Sequence, residues 1–132
     1  MQDYASLSAD YASHHRTAGN RRAHMIGIPL IVFAVVRLSQ IGSPFPLAAL
    51  ALPVYFVWSR RLGWIMTGFI AACAAAGTLI SARAALGILV AGWMFQIYGH
   101  AAHERNRPAL LDNLIHALVG PAFVAEKLAG KC

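Results

Sequence analysis

The chain has 132 residues, 58% hydrophobic and 12% charged, with a net charge of +6. An ordinary soluble domain is about 45–50% apolar and about 25% charged, so the balance points to one integral membrane domain. The basic residues lie between apolar runs, which makes membrane topology, and not nucleic-acid binding, the reason for the charge.

Residues 1–23 are polar. They contain acids and no apolar core before a small-residue site, so a cleavable signal peptide is not expected. Tyr4, Leu7 and Tyr11 have helical spacing and predict a short interfacial helix. His14, His15, Arg16, Asn20, Arg21, Arg22 and His24 follow. The first apolar run predicts a span over about 25–41, with Arg37 able to snorkel to the headgroups. Gly42, Ser43, Pro44 and Pro46 mark a turn. A second, short span is expected over about 44–58, with a kink at Pro53. The third covers 62–82, about 31 Å of helix and a full hydrocarbon thickness. A tight turn near Arg83 separates it from a fourth span over 84–99. Beyond Pro108, the 3–4 spacing of Leu110, Leu111, Leu114, Ile115, Leu118 and Val119 predicts an amphipathic helix on the membrane over about 109–119. Gly120-Pro121 should end it, and His116 should fall on its polar face, unless the last helix folds back and brings it to the site. Cys73 and Cys132 suit neither a disulfide nor a zinc motif. The expected fold is therefore all-α: a membrane four-helix bundle with interfacial helices at both ends.

Four spans place Arg16, Arg21, Arg22, Arg60, Arg61, Arg105, Arg107, Lys127 and Lys131 on one side. Only Arg37 and Arg83 remain on the other. That asymmetry predicts a multi-pass inner-membrane or endoplasmic-reticulum protein with both termini cytoplasmic. All six histidines then share the cytoplasmic side. An even number of spans is what lets the two histidine clusters meet.

The second cluster is Gly99-His100-Ala101-Ala102-His103-Glu104-Arg105-Asn106-Arg107-Pro108. On a continuing α-helix, His100, His103 and Glu104 share a face. In the first cluster, Asn20 and His24 are one turn apart, and His15 could reach the same face from two turns away. Imidazoles from two segments, with a carboxylate, suit a non-haem Fe(II) site that activates O2; zinc accepts the same ligands. Glu104 is either a ligand or the acceptor that sets a histidine tautomer. Arg105 or Arg107 could pair bidentately with a carboxylate substrate.

The segments His15-x4-Asn20-x3-His24-x2-Gly27-Ile28-Pro29-Leu30 and Gln96-x2-Gly99-His100-x3-Glu104-x-Asn106-Arg107-Pro108-Ala109-Leu110-Leu111-Asp112-Asn113-Leu114 resemble a family of small membrane 2-hydroxy fatty acid dioxygenases. The resemblance spans nearly the whole chain. It implies Fe(II)-dependent α-oxidation, in which a 2-hydroxy fatty acid and O2 give an acid one carbon shorter, without 2-oxoglutarate. By position, His15, His24 and His100 match the family's histidines and Glu104 its acid, while His103 departs from the pattern. The implied partners are the 2-hydroxy fatty acid, O2 and membrane lipid; nucleic acid is not among them, and a homo-oligomer is left open. Two other readings stay open: a haem protein with paired axial histidines, which a Soret band would reveal, and a metal-free transporter or scaffold indifferent to loss of His24 and His100.

Overall fold

The computed structural model describes residues 3–13, 15–104 and 115–129. Among them there are six α-helices and no strand. Helix α1 (Tyr4–Ser13) forms as its spacing predicts, and Leu7 and Tyr11, one turn apart, are buried. It does not lie loose at an interface: it packs on the last helix, α6 (His116–Leu128). A break follows, and Thr17 restarts the chain as the N-cap of α2 (Ala18–Leu38), accepting from the Asn20 backbone N–H at 3.2 Å. The helix thus begins seven residues before the predicted span, because a hydroxyl at the N-cap satisfies a backbone donor that apolarity alone would not reveal.

Helix α2 packs most extensively on α5 (Ala82–Tyr98). Two glycines make that crossing. A Cβ on Gly27 would stand 2.8 Å from the Gly92 carbonyl oxygen, and one on Gly92 would stand 3.0 Å from the Gly27 carbonyl oxygen. Backbone meets backbone there, as small residues permit between helices.

At the far end of the bundle Arg37 does not reach outward. Its Nε donates to the Ile80 carbonyl at 2.8 Å, and Gln40 Nε2 donates to the Ala74 carbonyl at 3.1 Å. The Gln40–Pro46 turn forms, with Gly42 at φ 71°. The second apolar segment is a 3₁₀ turn, Leu47–Ala51, running into a seven-residue helix α3, Leu52–Trp58. Pro53 starts that helix and does not kink it, because a proline in the first turn forfeits no helical hydrogen bond. Helix α4 is Arg60–Gly77, capped by the Ser59 hydroxyl. The turn into α5 is Thr78–Ser81, earlier than the expected break near Arg83, because Ser81 N-caps α5 by accepting from the Ala84 N–H at 3.1 Å.

The stretch Ala82–Ala102, 21 residues, is long and apolar enough to cross a membrane, and among the described helices it is the one that is; Leu47–Trp58 is apolar but shorter. Leu86, Val90, Met94 and Ile97 repeat at helical spacing on α5, yet each is more than half exposed.

Helix α6 corrects the expectation most. The predicted 109–119 helix lies largely outside the described residues. What is described runs from His116 to Leu128 straight through Gly120 and Pro121. Val119, Ala122, Val124 and Ala125 are all buried there, in two apolar clusters that α6 joins. The first holds Leu7, Tyr11 and Ile28, and the second holds Tyr55, Leu62 and Met66. Burial on both sides of the proline outweighs the local breaking signal. Gly120 serves close packing: a Cβ would stand 3.3 Å from Ile28 Cδ1 and 3.4 Å from the Tyr11 hydroxyl.

Candidate metal centre

Three histidines come together where α1, α2 and α5 meet. His15 lies in the break between α1 and α2, so it is not on the α2 face where helical spacing would have put it. His24 is in the second turn of α2. His100 follows α5 in a π-helical turn, Gly99–Glu104, so the helix does continue through the motif but with wider winding. Their exposures are 4%, 7% and 1%, and one ligating atom from each lies within 4.8 Å of the others.

Backbone carbonyls set two of the three tautomers. His15 Nδ1 sits 2.6 Å from the Tyr11 carbonyl oxygen and His24 Nδ1 sits 3.0 Å from the Asn20 carbonyl oxygen. A carbonyl only accepts, so each Nδ1 carries the proton and each neutral ring keeps its lone pair on Nε2. This is the arrangement that metal-binding histidines use. Nε2 of His24 is 3.2 Å from Nε2 of His100. Two imidazoles at about 2.0–2.1 Å from one ion, subtending 90–110°, would have nitrogens about 2.9–3.4 Å apart. The geometry of this pair therefore fits a shared ion. Imidazole donors suit iron, zinc, copper or nickel.

Asn20 is fully buried and touches the site through its backbone: its carbonyl holds His24, and its side chain packs so closely against Gly99 that a Cβ there would collide with Oδ1. That contact seats the end of α5, and hence His100, against α2. His103 and Glu104 lie on the π-helical turn, but their side chains are outside the described residues. The spacing rule that grouped them with His100 belongs to α-helical winding, and this turn is wound otherwise. Arg105 and Arg107 lie outside the described residues, as does His14.

Three further residues stand at the site that the sequence reading did not number among its candidate site residues. Tyr11 stacks on His15, centroids 4.0 Å apart and planes at 19°. Burial pushes its phenol well above the usual range, so it remains a hydroxyl. Gln96 is a buried amide among the apolar residues of the second half of α5, and it opens the second of the two motifs. His116 is not polar-face decoration. It is 3% exposed, and its Nε2 is 2.8 Å from Asp10 Oδ2. Nothing in the spacing of α6 could pair it with a residue more than a hundred positions earlier.

The histidines stand at one end of a cavity of about 430 Å³, within the usual size range of small-molecule pockets. From His24 its wall follows α2 through Ile28, Val32 and Val36 and is completed by Met66 and Ile70. At 1.5 Å per residue, 24 to 36 is roughly 18 Å of wall. A second cavity of about 270 Å³ also touches Tyr11, His15 and His24 and is bordered by Arg21 and Lys127. The site thus has an apolar side and a basic side.

Fold and site together define an all-α protein with a buried three-histidine group, able to hold a metal ion, at the head of an apolar cavity. The chain belongs to the Mpo1-like family: the family described as 2-hydroxy-palmitic acid dioxygenase Mpo1-like matches residues 1–132. It is similar to 2-hydroxy-palmitic acid dioxygenase MPO1 of Saccharomyces cerevisiae, at 30% identity over 142 residues, covering 94% of this chain and 78% of the yeast protein. The resemblance drawn from the histidine motifs is thereby borne out. No solved structure matches the chain.

Proposed function

We propose that this protein is a membrane-bound, Fe(II)-dependent dioxygenase that shortens long-chain 2-hydroxy fatty acids by one carbon. The observation that carries the reading is the meeting of three buried imidazoles with the polar head of a long apolar cavity. Family membership and the yeast relative's name supply the substrate class. The reaction balances with one O2: the 2-hydroxy acid gives the acid one carbon shorter, carbon dioxide and water.

His15, His24 and His100 are the proposed ligands, with Glu104 as a further ligand or a tautomer-setting acceptor and His103 as a lesser candidate. Iron held there supplies O2 activation. The chain's own residues do the rest. The Tyr11 and Asn20 carbonyls hold the protons of His15 and His24 on Nδ1. Ile28, Val32 and Val36 receive the acyl tail and keep water from the head. Arg105 and Arg107 are proposed to meet the carboxylate as it arrives from the headgroup region. The test is anaerobic protein given Fe(II), a 2-hydroxy fatty acid and then air, with products read by mass spectrometry. A product one carbon shorter, absent without O2 or Fe(II), is expected; its absence for every 2-hydroxy acid would defeat the assignment.

The membrane reading extends to topology. The exposed stripe Leu86, Val90, Met94 and Ile97 suits lipid contact. Segments 18–38, 47–58, 60–77 and 82–98 alternate in direction, since Arg37 and Gln40 bond to the end of α4 and the turn after it, while His24 and His100 meet at the opposite end. We read these as four membrane segments with both termini cytoplasmic, the second being short. Reporter fusions at residue 1, near Arg60 and after Lys131 should report cytoplasm, and one near Ser43 the far side. A C-terminal fusion on the far side would refute the arrangement.

A further inference from the structure

We infer that Tyr11 and His116 form the subsite that recognises the polar head of the ligand, with Tyr11 donating to its carboxylate and His116 accepting from its 2-hydroxyl. The inference rests on the proposed substrate class and assigns its recognition to two residues outside the metal-ligand set.

Both residues line the 430 Å³ cavity. Both carry a buried polar atom, Tyr11 Oη and His116 Nδ1, that has no hydrogen-bond partner among the described residues. Buried polar atoms are nearly always satisfied, and leaving one unmade costs about 1–3 kcal/mol. Outside the three-histidine group, these two atoms and Gln96 Oε1 are the buried polar atoms without a partner among the described residues in a cavity whose remaining wall is mainly apolar, and the first two are complementary to a polar group arriving with a ligand. They are also neighbours: the rings are 5.9 Å apart, and the Tyr11 hydroxyl lies against α6 at Gly120, one turn beyond His116.

Asp10 decides what His116 offers. Its Oδ2 lies 2.8 Å from His116 Nε2, and a carboxylate accepts, so Nε2 carries the proton. With that tautomer, Nδ1 has a lone pair to offer the cavity, which suits a hydroxyl hydrogen. Tyr11 keeps its own hydrogen to give, which suits a carboxylate oxygen. A 2-hydroxy acid satisfies both atoms. The unsubstituted acid satisfies Tyr11 and leaves His116 Nδ1 orphaned. Because Tyr11 also stacks on His15, the head held here stands beside the three histidines.

The experiment measures binding of 2-hydroxyhexadecanoic and hexadecanoic acid to metal-free protein in detergent by calorimetry. Wild type should prefer the hydroxy acid by about tenfold, the equivalent of one satisfied buried group. His116→Phe should erase that preference while leaving affinity for hexadecanoic acid unchanged. Tyr11→Phe, which keeps the ring stacked on His15, should weaken both acids about tenfold and keep the preference. Asp10→Ala alters only an exposed partner, so it folds even where His116→Phe does not. It should cut the preference several-fold, because the proton is then free to sit on either nitrogen. A preference that survives both His116→Phe and Asp10→Ala, a Tyr11→Phe protein that binds both acids like wild type, or wild-type protein that binds neither acid overturns the subsite. Turnover by the iron-loaded protein is read separately. Shortening of the hydroxy acid by variants with unchanged binding defeats the subsite and leaves the activity standing; the expected binding pattern without shortening does the reverse.

Discussion

Either His24→Ala or His100→Ala is expected to remove bound iron and lower turnover at least about a hundredfold. Replacing a mere outer partner of a metal ligand typically costs 10–100-fold in affinity or activity, and these substitutions delete a proposed ligand outright. The two Nε2 atoms face each other at 3.2 Å from helices that share their closest packing at Gly27 and Gly92. The double variant should be no worse than either single one, since groups that act as a unit are not additive. Iron content by elemental analysis and single-turnover yield would be measured together. Full iron occupancy with normal turnover in both single variants would dismiss the centre.

The second large effect is selection of the 2-hydroxyl by the loaded enzyme. A long-chain 2-hydroxy acid should be turned over up to about 10⁴–10⁵-fold faster than the unsubstituted acid, because a site built around a hydroxyl leaves polar groups unpaired when the analogue lacks it. The 3-hydroxy acid places its oxygen one carbon too far and should be as poor. Chain length should matter much less. Each buried CH₂ is worth about 0.8 kcal/mol against water, but a tail passing from lipid to the Ile28–Val36 wall exchanges one apolar environment for another. Relative kcat/KM from competition between paired acids is the measurement. Comparable turnover of the unsubstituted acid would rule out hydroxyl recognition as the source of selectivity.

The architecture was legible wherever one local signal ruled. Tyr4, Leu7 and Tyr11 announced α1, and the run to Tyr98 announced α5. Boundaries were lost where a single hydroxyl decided them, as at Thr17, Ser59 and Ser81. Pro121 misled because the burial that carries α6 past it depends on Tyr11, Ile28 and Tyr55, which are distant in sequence. At the site, the meeting of the two histidine clusters was expected from their motifs, and the structure brings His15, His24 and His100 together. How His15 gets there was not expected: it arrives from a break between helices, which spacing cannot foresee. Tyr11 and His116 were read as an interfacial-helix residue and a polar-face residue for a related reason. A tyrosine on an apolar stripe and a histidine on a terminal helix look ordinary until the fold sets them side by side.

The docking of α1 on α6 bears on how the protein is made. Tyr4 Oη donates to Glu126 Oε1 at 2.6 Å across 122 residues of chain, and His116 joins Asp10 across 106. Contacts of such span form late, since the intervening loop must first be closed. While the ribosome is still extending the chain, α1 has no α6 on which to bury Leu7 and Tyr11. The three-imidazole cage thus waits for its earliest-made member, His15, to be drawn in by the helix synthesised more than a hundred residues later. A chain that has passed His100 but not yet made α6 holds two of the three imidazoles on α2 and the end of α5, so a metal bound by all three would be captured only at the end of assembly.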